Sequence, residues 1–253
     1  MTLQIKILWI VAAVITLVAG LMNAMLSKDY PVSGTIGIEA KKVSYYFEKT
    51  YSGKDDYKFL IRSDYEGLRG YFRYYDPVKK DSVIVPLKPE GEFLSGVMPR
   101  QKAETVVAYK VFLQAGERLY QVPPGITMET KFYNNFPVYV AVLYYIVILG
   151  GILFAVRSAL EAFNPRPHFR RFAILTGIFF VLFGFFMEPL KNYYLLGGGP
   201  GKVLSPLQMF DFISAALPVI WFAALPLLGS VKRRDVVVIA AGVLTVVIYV
   251  IFG

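Results

Sequence analysis

The chain of 253 residues has no cysteine and a single histidine, His168. The first absence excludes disulfides, thiolate metal sites and cysteine nucleophiles. The second excludes a multi-histidine metal centre, and it leaves the centre of the chain without a partner for a Ser–His–Asp triad. Charge is also scarce. Asp, Glu, Lys and Arg make up 18% of the residues against 56% hydrophobic, a balance that soluble chains of this length rarely show. No repeat of 20–50 residues and no low-complexity tract is present, which argues against a solenoid.

What charge there is lies mostly in the middle. Residues 27–134 hold 17 of the 27 Lys and Arg and 14 of the 18 Asp and Glu. The net charge of +9 therefore does not read as a nucleic-acid surface. The central segment is nearly balanced, with its signs interspersed, and much of the excess sits in short loops between apolar runs.

Five apolar runs reach the 17–25 residues that a bilayer-spanning helix needs. They are Ile7–Leu26, Phe136–Val156, Phe172–Leu190, Pro206–Gly229 and Val236–Gly253. The first is longer than the apolar part of a signal peptide, and cleavage after Ala24 would place the large Met22 at the −3 position, so an uncleaved anchor is expected. Lys and Arg in short loops set orientation. Arg157, Arg166, Arg170 and Arg171 follow the second run, and Lys232, Arg233 and Arg234 follow the fourth. Both loops are expected in the cytoplasm. The connection after the third run carries only Lys191 and Lys202 and is expected outside. The reading is a multi-pass protein of the cytoplasmic (inner) membrane. Its N-terminus is inside, and its central domain and C-terminus are extracytoplasmic.

The central segment reads as strands. Tyr57–Asp64, Leu68–Asp76, Ser82–Pro89, Gly91–Pro99 and Thr105–Gly116 combine β-branched and aromatic residues with period-two stretches, and Gly- and Pro-containing turns separate them. GTIGIEA, VSYYFEKTY and RLYQVPPG add strands at the two ends. Seven or eight strands in about 100 residues suggest an immunoglobulin- or fibronectin-type sandwich. The predicted fold is thus a membrane α-helical bundle of five transmembrane helices with an inserted all-β sandwich. Its parts are an anchor over 1–26, the sandwich over 27–134 and a four-helix membrane part over 135–253.

The run LRGYFRYYDPVKKDSVIVPLKPEGEFLSGVMPRQKAETVVAYKVFLQAG is similar to fibronectin-type-III-like modules of bacterial surface proteins. The strand ending in a Tyr–Arg-type pair, the strand ending in Met and the "V-x-Y" strand carry the likeness. The whole layout resembles an uncharacterised family of bacterial multi-pass membrane proteins with such an extracytoplasmic domain. Phe136-Pro137-Val138, the Arg170-Arg171 loop and the Gly/Pro-rich stretch Gly197–Gly201 are the matching features. That resemblance implies architecture and no particular chemistry.

Two constellations could carry function. Glu188, Lys191 and Asp211 lie at the inner edges of two apolar runs, near the outer membrane face, where charge is cheap compared with the roughly 2.5–3.5 kcal/mol paid at the bilayer centre. Lys191 is the expected partner of Asp211. An interfacial ion pair that fixes helix packing is one reading; a site for a proton, ion or polar substrate is the other. Tyr144 and Tyr145, mid-helix in the second run, need hydrogen-bond partners, and at least one should face protein. In the central segment, 12 of the 18 tyrosines offer an interaction surface, with Tyr45, Tyr46, Tyr74 and Tyr75 the first candidates. The Gly197–Gly201 stretch lacks the Lys–Ser pair of a phosphate-binding loop and reads as a turn, and His168 reads as a surface residue. No cofactor is expected. The function these features favour is a non-catalytic accessory or scaffold protein, with the bilayer and a membrane or extracytoplasmic protein, or a glycan, as partners and no nucleic acid. A small transporter, or an outer-leaflet enzyme using Glu188, Lys191 and Asp211, is the alternative.

Overall fold

Among the described residues, five helices are long and apolar enough to cross a membrane: Leu3–Leu26, Val138–Phe163, Phe169–Leu195, Phe212–Ser230 and Arg234–Phe252. The computed structural model describes residues 3–65, 67–77, 79–197 and 204–253. It divides into two compact units. Asp29–Asn135 with Leu195–Gly197 form the β unit, and the other described residues form the helical unit.

In the helical unit, α1 spans Leu3–Leu26 and α2 spans Val138–Leu160, with a 3-10 turn over Glu161–Phe163. Helix α3 covers Phe169–Leu182, a π-helical segment covers Phe183–Met187, and α4 continues over Glu188–Leu195. The fourth apolar run divides into a short α5, Pro206–Met209, and α6, Phe212–Ser230; α7 covers Arg234–Phe252. The division has a local cause. Asp211 is extended and caps α6, its Oδ1 accepting from Ser214 N at 2.8 Å. An Asp side chain that satisfies a first-turn amide favours a new helix start over continuation of an old one. Ser205 holds the N-cap position of α5, and Gln208 reaches back so that Ser205 N donates to its Oε1 at 3.1 Å. Pro137 holds the N-cap position of α2, with no side-chain bond to the helix.

Helix α2 packs against α1, α3 and α7, and α6 against α3 and α7. Small residues permit the closest approaches. A Cβ on Gly151 would fall 2.6 Å from the Phe180 ring, and one on Gly242 would fall 2.8 Å from Ala159 Cβ. One pair of interior polar groups bridges α6 and α7. Trp221 Nε1 donates to Thr245 Oγ1 at 3.0 Å, and Thr245 donates to Ala241 O at 2.8 Å. The outer surface is apolar, as Leu17, Ile146, Phe186, Val219, Phe222 and Val243 illustrate.

The described residues of the β unit form 11 strands in two sheets. In the first sheet β1 (Val32–Ile38), β2 (Lys41–Phe47), β4 (Tyr57–Ser63), β8 (Phe93–Met98) and β7 (Lys88–Glu90) neighbour one another in that order. The second runs β3 (Thr50–Tyr51), β11 (Met128–Phe132), β9 (Val106–Ala115), β5 (Arg69–Asp76) and β6 (Asp81–Pro86), with β10 (Arg118–Val122) also paired to β9. The β3–β11 pair is parallel and every other pair antiparallel. Alternate residues of both sheets share one core. Phe59 is its hub. Its ring meets Phe47 at 5.3 Å and Phe72 at 5.2 Å edge-on, and stacks on Tyr109 at 5.8 Å. Gly96 makes room for it, since a Cβ there would collide with the Phe59 ring.

Candidate functional site

The carboxylate that the sequence places at the end of the third apolar run is the most buried charge of its neighbourhood. Glu188 is 1% exposed. It opens α4 directly after the π-helical segment, and such insertions, which add a residue to a helical turn, recur at functional sites. Gly184 lets that segment press on α6: a Cβ there would strike the backbone carbonyl of Ser214. That carbonyl belongs to the residue four before Pro218, which has no N–H to offer it. Helix α6 nonetheless continues through Pro218 and Pro226.

Three donors close around Glu188. Lys191, one turn on, forms an ion pair with Oε1. Tyr144 of α2 donates from its hydroxyl to Oε2 at 2.9 Å. Asn192 Nδ2 reaches Oε1 at 3.4 Å and Met209 O at 3.2 Å. Lys191 Nζ also donates to the Tyr144 hydroxyl at 3.2 Å and lies 4.8 Å from the centre of its ring. The result is a closed triangle of Tyr144, Glu188 and Lys191. Lys191 therefore pairs with Glu188, and the exposed Asp211 caps α6. Of the two mid-helix tyrosines, Tyr144 turns inward to this cluster, whereas Tyr145 is exposed.

A second buried pair lies at the other end of α2. Arg157 and Glu161, both side chains at most 2% exposed, meet at 2.5 Å. The guanidinium lies over the rings of Trp9 and Phe172, at 5.4 and 4.7 Å. Glu161 also accepts from His168 N at 2.6 Å and from Asn164 Nδ2. Arg157 is thus a helix residue with a compensated charge; Arg166, Lys232 and Arg233 are exposed outside the helices, and Arg170, Arg171 and Arg234, expected in loops, are exposed in the first turns of α3 and α7. The spacing of Arg157 and Glu161, four apart, was the available signal for this pair. His168 is exposed at the N-cap of α3.

The four candidate tyrosines of the β unit separate by strand phase. Tyr45 faces inward and stacks on Phe47 at 5.6 Å, and Tyr74 is buried against Phe72. Tyr46 and Tyr75 are 53% and 51% exposed. They belong to different sheets, so they do not form one patch. Tyr46 instead lies beside Leu60 of β4, whose other neighbour is Ser95 of β8. Together with Phe93 and Val97 they give the outward face of the first sheet an apolar centre. Two ion pairs edge it, Lys58–Glu90 at 2.7 Å and Arg62–Glu92 at 3.1 Å. A shallow groove of about 360 Å³ runs along this face, with Tyr46, Leu60 and Phe93 in its walls.

The Gly197–Gly201 stretch lies, beyond Gly197 itself, outside the described residues, as does Lys202. Among the described residues no group of three or more His, Asp or Glu is arranged to hold a metal ion. Comparisons with family models, curated proteins and solved structures gave no match to the chain.

Proposed function

We propose that the chain is a multi-pass membrane protein whose β unit is an extracytoplasmic binding module, serving as an accessory or scaffold component of a membrane complex. The apolar outer surface of the helical unit supports insertion, because lipid is the solvent that tolerates it. The basic loops support a cytoplasmic N-terminus, with the β unit and the C-terminus on the far side. The strand orders support an immunoglobulin-like reading of the module. Strands β2, β4, β8 and β7 take the places of A, B, E and D, and β6, β5, β9 and β11 those of C′, C, F and G.

One observation carries the binding role: the outward face of the first sheet joins Tyr46, Leu60, Phe93 and Val97 inside a rim of paired charges. An apolar, aromatic centre with a polar rim is the composition of a protein-binding surface. The partner is a protein at or beyond the membrane surface. A photo-reactive amino acid in place of Leu60, in the full chain in native membranes, should give an adduct of one defined mass. The same group at Ile84, exposed on the second sheet, should not. Equal labelling at both positions, or none at Leu60, removes the reading.

The alternative, an ion or substrate path through Glu188, Lys191 and Asp211, draws on the π-helical segment beside Glu188. The closure of Glu188 by three donors weighs towards a packing role.

A further inference from the structure

Arg170, Arg171 and Arg234 line a cleft of about 480 Å³ in the helical unit. The first two stand in the opening turn of α3, and the third opens α7. Its other walls include Phe169, Leu225 and Pro226. Among the described residues, no carboxylate pairs with any of the three arginines. The two carboxylates close in sequence are engaged elsewhere: Glu161 holds Arg157, Asn164 and His168 N, and Asp235 meets Arg233 at 3.3 Å. Over residues 157–171 and 232–235, seven basic groups stand against these two acids. Exposed arginines scattered over a surface are solvated separately and need no partner. Three that converge on one concavity repel one another, and an anion between them relieves that cost.

We infer that this cleft is a binding site for a phosphate group, filled by the headgroup of an anionic phospholipid. Guanidinium groups fork onto phosphate oxygens in pairs of parallel bonds, which a lysine cannot reproduce. The apolar wall from Phe169, Leu225 and Pro226 suits the glycerol and first acyl carbons that follow a headgroup, and a free phosphate has no use for it. Both arginine-bearing segments are helix starts, whose field has the same sign as the side chains. The cleft is shaped on one side by Glu161, which fixes the backbone of His168 where the chain enters α3. On the proposed topology it faces the cytoplasmic leaflet, where anionic headgroups attract basic residues.

The test uses the full chain reconstituted in nanodiscs of equal dioleoyl phosphatidylglycerol and dioleoyl phosphatidylcholine, with native mass spectrometry counting the lipids retained on release. The expected result is roughly tenfold enrichment of phosphatidylglycerol, the order that a few basic groups at a membrane surface supply. R170Q/R171Q/R234Q should bring the ratio to about one. R170K/R171K/R234K, which keeps the charge that sets topology, should still lose most of the enrichment because the forks are gone. K6Q/R166Q/K232Q removes as many charges outside the cleft and should leave the ratio unchanged. Equal loss in that control, or full retention by the lysine variant, overturns the site in favour of diffuse attraction. Inorganic phosphate decides the source: if millimolar phosphate strips the lipid from the wild type, the site binds a free phosphate compound and the lipid assignment falls.

Discussion

The two units are built inside out relative to each other. The β unit keeps aromatic rings inside, with Phe59 touching Phe47, Phe72 and Tyr109, and puts its ion pairs Lys58–Glu90 and Arg62–Glu92 at the surface. The helical unit buries both of its closest ion pairs, Arg157–Glu161 and Glu188–Lys191, and turns Leu17, Ile146, Phe186 and Phe222 outward. Each arrangement matches a solvent. In water, apolar burial drives folding and exposed ion pairs contribute about 0–1 kcal/mol. In lipid the hydrophobic term between helices vanishes, and close packing with internal polar closure must hold them. On the proposed membrane reading, the same residue types are therefore worth different amounts in the two halves of one chain.

The largest expected effects break each unit at its own glue. Glu161→Ala should cost about 3–5 kcal/mol, because Arg157 is left charged and unpaired between Trp9 and Phe172. Removing both charges, as in R157M/E161L, should recover most of that loss. Thermal unfolding of the full chain in detergent measures both, and a double variant no better than the single would show that the pair is not the glue. In the β unit Phe59→Ala should cost about 3–5 kcal/mol through the cavity it leaves. Proteolysis of the β unit should report that loss while the helical unit stays folded. Joint unfolding of the two would break the comparison, because it would make them one cooperative body.

Next in size is Gly184→Ala, at about 1–3 kcal/mol. The added methyl would meet the Ser214 carbonyl, a backbone atom that can move only with α6. Gly20→Ala is the matched control, since a Cβ there meets only Leu149 Cδ2 at 3.5 Å, an ordinary contact. A large effect at Gly20 and none at Gly184 would reverse the assignment of which helix contact is tight.

How much of this was legible in the sequence follows the same division. Long apolar helices announce themselves by length and composition, so all five runs were found, with boundaries that moved by a few residues. The interruption at Phe210 and Asp211 was hidden because the flanking residues are apolar on both sides, and the run looked continuous. Strands β4, β5, β8 and β9 were visible through alternation. Strand β11, METKF, was missed because it is only five residues long with Glu129 and Lys131 between its buried positions Met128, Thr130 and Phe132; the Thr130 hydroxyl donates to Glu48 O at 2.7 Å. The turn between β1 and β2 uses Glu39 and Ala40, both at positive φ, in place of the Asn-Gly that marks such hairpins. For the site, what stayed hidden was a partner and not a position. Sequence placed Glu188, Lys191 and Tyr144 separately, yet only the packing of α2 on α3 and its continuation shows that the tyrosine hydroxyl belongs to the carboxylate and that Asp211 does not.

The smallest expected effect is a difference in response to alkali. Burial pushes the Tyr57 and Tyr109 phenols of the β unit above their ordinary value; for Tyr109 neighbouring Tyr57 adds to that. A group whose folded pKa is raised contributes stability that is complete below the unfolded pKa, about 10 for tyrosine, and drains as pH rises above it. The sign follows from the protons: above pH 10 the unfolded chain has lost them and the folded chain still holds them, so alkali favours unfolding. The β unit should therefore lose stability as pH climbs past about 10, as read by its proteolytic susceptibility at graded pH. Tyr109→Phe should flatten that slope, because the ring that Phe47 and Phe59 pack against stays in place while the titrating proton is gone. An unchanged slope would mean that the Tyr109 phenol carries no share of the pH dependence.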